Sequence, residues 1–237
     1  MKKRIVACVL SLALAVGMIP QMSVEAKQKK VTIDDVDACE AIESDVKVTG
    51  AGSGYHAKMV FVAPLSGFSM GIQHDEFAAA PYTGKTMLIV ENILSNEPGG
   101  QSYYRPKNIE LVPGKNYHMM MTLTEKGKID VYLNYKKIAT YHNRGLANIR
   151  VHSRVEASAR LNGDRVRAEF KNVDVKDDLH SEVDEFTPKV INLTPQIHSK
   201  IIDNSHYIIA GKLSGLVPGH DWDSAYEQVS GIVQFED

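Results

Sequence analysis

The chain reads as all-β, built of antiparallel strands, on three observations. From 31 to 176, short runs of alternating apolar and polar residues are broken by Gly, Pro and Asn. No segment carries a long apolar stripe at helical period. Strong turn sequences, Glu125-Lys126-Gly127-Lys128 and Asn162-Gly163-Asp164, separate runs of opposite direction.

The first element is an export segment. Lys2-Lys3-Arg4 precedes an apolar run over 5–19, and Val24-Glu25-Ala26 supplies small residues before Lys27. That charged, apolar, small order is that of a secretory signal cleaved after Ala26. The run, broken by Gly17 and Pro20, falls short of the roughly 20 residues of a spanning helix. The expected location is secreted, extracellular, with no membrane association after signal cleavage. Cleavage removes Lys2, Lys3, Arg4 and Glu25, so the 27 basic and 29 acidic residues become 24 and 28, a formal charge of −4. Charges of both signs are interspersed, which leaves no electrostatic footprint for nucleic acid. Cys8 leaves with the signal, and Cys39 alone cannot form an internal disulfide. Its acidic flank would not activate the thiol.

After the signal, 33–42 supports at most a short helix. Tyr117, Met119, Met121 and Leu123 then form one face of a strand, with His118, Met120, Thr122 and Thr124 on a face expected to be mostly wet. The turn at 125–128 leads to Ile129, Val131 and Leu133, completing a β-hairpin, while Asp130, Tyr132 and Asn134 point away. Val155, Ala157, Ala159 and Leu161 lead through Asn162-Gly163 into Val166, Ala168 and Phe170, which predicts a second hairpin. Asp177, Asp178, Glu182, Asp184 and Glu185 make 177–188 an acidic linker, and new strands follow at 190–193, 207–213 and 229–235. The organisation expected is a signal peptide (1–26), a β-sandwich domain (27–176), the linker, and a small C-terminal β unit (189–237). An incomplete immunoglobulin-like module is the alternative for that unit, and about 50 residues is marginal for independent folding.

Several residues carry a resemblance. Pro113-Gly114-Lys115-Asn116-Tyr117, the strand Ile129-Asp130-Val131-Tyr132-Leu133-Asn134, the turn Asn162-Gly163-Asp164-Arg165-Val166 and the closing Phe170-Lys171-Asn172-Val173-Asp174-Val175 resemble the back half of concanavalin A-like, laminin-G-like jelly-roll domains. Tyr135 follows Asn134 where that superfamily usually has Gly. The resemblance, over about 46–176, implies an antiparallel jelly-roll β-sandwich and carbohydrate or protein recognition outside the cell. Some relatives are glycoside hydrolases, and fold does not decide among these activities.

The hydrolase branch places alternating carboxylates on one strand, because nucleophile and acid must flank one glycosidic bond. Glu91 stands alone in Leu88-Ile89-Val90-Glu91-Asn92, Glu156 stands alone in Val155-Glu156-Ala157, and Asp75-Glu76 would face opposite ways. A saccharide site needs aromatic rings for the apolar side of a sugar and planar amides or carboxylates for its hydroxyls. Tyr82, Glu91, Asn92, Gln101 and Tyr104, among loop glycines, supply that composition and are the candidate ligand-binding residues. Tyr103, Tyr104 and Gln101 would alternatively only close a loop and cap a sheet edge, and Glu91 and Asn92 form an ordinary wet strand face. His118, Tyr132, Asn134 and Arg154 are expected as neighbours on one polar sheet face.

The histidines lack zinc spacing, no Gly-x-Ser-x-Gly elbow occurs, and no cofactor is expected. Asp221 and Asp223 could lend two carboxylates to Ca²⁺. The expected function is a secreted, lectin-like carbohydrate-binding module of bacterial type, without catalysis, whose partner is a carbohydrate such as an envelope glycan. The alternatives are a structural or adhesive surface protein and a cryptic glycan-active hydrolase.

Overall fold

Alternation of apolar and polar side chains buries one face of each strand, and two such faces close on each other. The structure, a computed structural model, describes residues 29–94, 101–178, 186–214 and 230–236. Among them run fourteen strands: β1 (Glu40–Ala51), β2 (Gly54–Ala63), β3 (Ser66–Asp75), β4 (Lys85–Leu94), β5 (Gln101–Tyr104), β6 (Asn116–Leu123), β7 (Lys128–Leu133), β8 (Lys136–His142), β9 (His152–Ala159), β10 (Arg165–Asp177), β11 (Thr187–Asn192), β12 (Ile197–Asp203), β13 (His206–Lys212) and β14 (Gly231–Glu236). Sheet A has the order β12-β13-β10-β1-β6-β7-β8, and sheet B the order β11-β14-β9-β2-β3-β4-β5. The result is an antiparallel all-β sandwich. Val46, Met119, Met121, Val131 and Phe170 of sheet A meet Phe61, Phe68, Met70, Leu88 and Val155 of sheet B in one buried core. Each large apolar side chain so buried contributes roughly 1.5–3 kcal/mol.

The hairpin of β6 and β7 forms as expected, with Met121 opposite Val131. The second expected hairpin does not. β9 pairs with β2 and β14 in sheet B, whereas β10 pairs with β1 and β13 in sheet A. Asn162-Gly163 therefore turns the chain from one sheet to the other, beside the crossing from β1 to β2. The buried Asp164 carboxylate ties the two crossings together. It accepts from Ser53 N (2.7 Å), Ser53 Oγ (2.8 Å), Gly54 N (3.0 Å) and Leu161 N (2.9 Å). Gly52, at φ +104°, makes room: a Cβ there would lie 2.0 Å from Asp164 Oδ1.

The face of β6 expected to be wet is dry. Met120 is fully buried and Thr122 and His118 nearly so. A 3₁₀ turn at Ile33–Asp35 lays Ile33, Val31 and Val36 over Ala41, Met120 and Tyr132, a second apolar cluster on the outside of sheet A. Asn134 and Tyr135 both take positive φ, 49° and 66°, in the two-residue turn from β7 to β8. The Tyr135 ring stacks on His118 with centroids 3.9 Å apart, so a side chain occupies the position where Gly was expected.

The C-terminal strands are not a separate unit. β12 and β13 extend sheet A beside β10, and β14 and β11 extend sheet B beside β9. Tyr207 and Phe235, ring centroids 5.5 Å apart, close the core between them. Asp177 ends β10 and Pro188 lies in β11, so the expected linker is strand at both margins. The strand at Ile197–Asp203 was not anticipated. Residues 1–26, 98–100, 179–185 and 220–223, which hold the expected signal, a loop of the candidate site, most of the linker and the Ca²⁺ candidates, lie outside the described residues.

Candidate functional site

Side chains of sheet B alternate between the core and the outer face. On β2, Tyr55, Ala57, Met59 and Phe61 enter the core, which turns His56 and Lys58 outward. By the same alternation β3 presents Ser69, Gly71 and Gln73, β4 presents Glu91, and β9 presents Arg154, Glu156 and Ser158. Register sets them in rows. Tyr103, Glu91, Ser69, Val60 and Arg154 lie across β5, β4, β3, β2 and β9. The next row runs Ile89, Gly71, Lys58, Glu156, and the third Met87, Gln73, His56, Ser158.

Lys58, Ser69, Gln73, Glu91 and Glu156 among them are buried, and several satisfy one another. Lys58 Nζ donates to Glu91 Oε2 at 2.7 Å, and Ser69 Oγ donates to the same oxygen at 2.9 Å. Lys58 and Glu91 stand on strands separated by β3, and the ammonium reaches across because Gly71 lies between them. A Cβ at Gly71 would come within 2.3 Å of the Ala57 carbonyl oxygen and 2.6 Å of Lys58 Cγ. Gly71→Ala is therefore expected to cost about 2 kcal/mol, the range for overpacking, and to displace Lys58. Chemical denaturation of the variant measures it, and an unchanged midpoint would exclude the close approach.

Burial by itself would raise the Glu91 pKa. The adjacent Lys58 ammonium and hydrogen bonds from Lys58, Tyr103 and Ser69 outweigh it and hold the carboxyl below its ordinary value. Glu91 is thus a fixed anion. The Tyr103 hydroxyl donates to Gln73 Oε1 at 3.0 Å and lies within reach of Glu91. Glu156 accepts from Arg154 at 2.9 Å, with His56 Nε2 3.9 Å away. Burial, then the Lys58 charge, push His56 well below its ordinary pKa, so it is neutral at pH 7. At the β5 edge the face opens: Gln101 is exposed and Tyr103 is 37% accessible.

Of the five candidate residues, Glu91 and Gln101 share this outer face. Asn92 and Tyr104 point to its opposite side. Asn92 donates to the His142 carbonyl at 3.1 Å and accepts from Asn143 Nδ2 at 2.7 Å, tying β4 to the chain after β8. Tyr104 packs its ring 5.1 Å from Tyr141. Tyr82 lies beyond the Lys85 end of β4, while Gln101 pairs with Ile93 near the other end, about 27 Å away at 3.4 Å per residue. Its hydroxyl donates to Asn108 Oδ1 at 2.7 Å, and Arg105 covers its ring at 4.5 Å. The grouping of Arg154 with His118, Tyr132 and Asn134 is corrected: Arg154 belongs to sheet B and the other three to the sheet A side. His118 there contacts Asp45 at 3.2 Å and Glu43 at 3.5 Å.

Lys58, Gln73, Tyr103 and Glu156 were not anticipated as one group. Lys58, Gln73 and Glu156 leave the trace that each alternates with core residues, and Tyr103 only its place near Gln101. Cys39 donates its thiol to the Leu123 carbonyl, and burial, then the Glu40 charge, push its pKa up to about 11. It remains a thiol at neutral pH. Among the described residues no three His, Cys, Asp or Glu side chains gather as a metal site.

No family model matches the chain. No curated protein matches its sequence either. Among solved structures it is similar to scytalido-glutamic peptidase bound to a transition-state analogue inhibitor, at 12% identity and a TM-score of 0.48, covering 74% of this chain and 94% of that one. It is also similar to a family 18 polysaccharide lyase (9% identity, TM-score 0.36, 83% of this chain and 68% of that one). The kappa-carrageenase of Pseudoalteromonas carrageenovora, in complex with a kappa-carrageenan oligosaccharide, gives 10% identity and a TM-score of 0.32, over 83% and 62% of the two chains. No residue's role passes from these proteins to this chain.

Proposed function

We propose that the chain is an exported carbohydrate-binding module of bacterial type, a concanavalin A-like sandwich that holds a saccharide on the outer face of sheet B without turning it over. One observation carries this reading: charged and amide groups are fixed to one another along that face, with an aromatic ring at its exposed edge. A face that merely meets solvent has exposed side chains, whereas Lys58, Gln73, Glu91 and Glu156 are each less than a tenth accessible. Buried polar groups of this kind cost free energy unless paired. Paired and immobile, they offer a ligand ready-set acceptors and donors at little ordering cost. Carboxylate and amide planes match adjacent sugar hydroxyls, and the Tyr103 ring can cover the apolar side of a sugar.

Glu91 accepts hydrogen bonds as a fixed anion and has no proton to give, which suits recognition better than acid catalysis. Export through residues 1–26 would deliver the module to the cell exterior, where envelope glycans are its expected partners. Binding should not require Ca²⁺.

The test is affinity electrophoresis of the protein in a panel of polysaccharides, with and without Ca²⁺. Retardation by at least one polymer is expected, weakened about tenfold by Tyr103→Ala and severalfold by Gln101→Ala. Gln101 is exposed and Tyr103 lies at the sheet edge, and circular dichroism checks that each variant keeps the fold. Folded protein that binds no polymer, and self-associates on sizing, would instead mark a structural or adhesive surface protein.

A further inference from the structure

We infer that the ligand of this face is an electrically neutral polysaccharide, one without uronate or sulfate groups. The inference rests on the carbohydrate reading above and adds the substrate class. It follows from how the cations of the face are already engaged.

The strands of sheet B present four cations on this side among the described residues, Lys58, Lys85, Arg154 and Lys189, with Arg160 just past β9, and each of these five has a carboxylate partner. Toward the middle, Lys58 pairs with Glu91 at 2.7 Å, Arg154 with Glu156 at 2.9 Å and Arg160 with Asp75 at 2.6 Å. Toward the edges, Lys85 pairs with Glu110 at 3.2 Å and Lys189 with Glu236 at 2.9 Å. Arg105, just past β5, lies against the Tyr82 ring. His56, kept neutral by burial, adds no charge at pH 7.

An anionic sugar brought onto this surface must lose water from its charge, and that loss is offset only by a cation free to face it. Here such a group would have to displace Glu91, Glu156 or Asp75 from a partner already within 3 Å, leaving that carboxylate buried beside the incoming anion. A neutral sugar meets no such conflict. Its hydroxyls can donate to the carboxylates and accept from the cations without breaking a pair, since a carboxylate offers about four lone-pair sites and an ammonium three donors.

The experiment compares polymers that share a backbone and differ in charge, hydroxyethylcellulose against carboxymethylcellulose and desulfated kappa-carrageenan against kappa-carrageenan, by affinity electrophoresis with the intact protein. The neutral member of at least one couple is expected to bind about tenfold or more tightly than the charged member, with little change between low and high salt. A second variant reports on the cause. Glu110→Gln removes the partner of the half-exposed Lys85, and it should raise affinity for the charged member severalfold while leaving the neutral member unchanged. Tighter binding of the charged member by the unaltered protein, or no response to Glu110→Gln, would overturn the neutral assignment while leaving carbohydrate binding intact. Binding to neither member of either couple, nor to any polymer of the wider panel, would overturn the carbohydrate reading itself.

Discussion

Asp164→Ala is expected to cost about 4 kcal/mol and to lower Tm by on the order of 10 °C. The Asp164 side chain accepts four hydrogen bonds from Ser53, Gly54 and Leu161, residues on both chain crossings between the sheets. Removing it strands donors that the fold has withdrawn from water, and each buried unsatisfied group costs roughly 1–3 kcal/mol. Water entering the corner would recover part of this. Asp164→Asn should fall between, because a carboxamide keeps one acceptor and turns an N–H toward the remaining donors. Urea denaturation of the three proteins measures the series. A loss below about 1 kcal/mol for the alanine variant, the ordinary scale of surface substitutions, would mean the corner is held by something else.

Glu40→Gln is expected to remove a pH dependence. Glu40 is 2% accessible and stands directly opposite Asp177 across β1 and β10. Burial, then the Asp177 charge, push its pKa up to about 9, with Arg150 offsetting part of the shift and Asp178 adding to it. At pH 7 Glu40 is therefore protonated and hydrogen-bonded to Asp177. The folded pKa is raised, so the stabilisation is complete below about pH 4.5, the ordinary value, and is lost as pH climbs toward 9. The ceiling is about 1.4 kcal/mol per pH unit. Relaxation of the pair and water entry reduce the expected loss between pH 5 and pH 8 to about 2 kcal/mol. A Gln amide donates to Asp177 at every pH, so the variant's denaturation midpoint should fall less over that range. Parallel pH profiles for the two proteins would show that Glu40 does not hold its proton.

The buried faces of β6 and β7 were legible because a period of two needs no tertiary knowledge: Tyr117, Met119, Met121 and Leu123 read as core and are core. What the alternation could not convey is which sheet a strand joins. Asn162-Gly163 marks a turn, but the residue that decides its outcome is Asp164, three of whose four donors lie more than a hundred positions earlier. The strands after 188 read as a separate unit because composition reports solubility and not connectivity. The later strands belong to the main core because β9 and β10 each left an edge for them. Met120 was assigned to solvent because the apolar turn that covers it is only a few residues long.

At the candidate site, Glu91 was legible as a lone carboxylate on a strand. Its partner Lys58 was not, since their contact depends on the register of three strands and on the gap left by Gly71. Asn92 and Tyr104 were grouped with Glu91 by proximity in sequence, and strand alternation sends them to the other side.

The outer face of sheet B as the ligand surface is tested most directly by backbone amide chemical shifts of the protein titrated with a mixture of neutral cello-, laminari- and xylo-oligosaccharides. Saturable shifts are expected to cluster on β3, β4 and β5, at Gln73, Glu91, Gln101 and Tyr103. Shifts confined to sheet A around His118 and Tyr135, or to the loop that carries Tyr82, would contradict it.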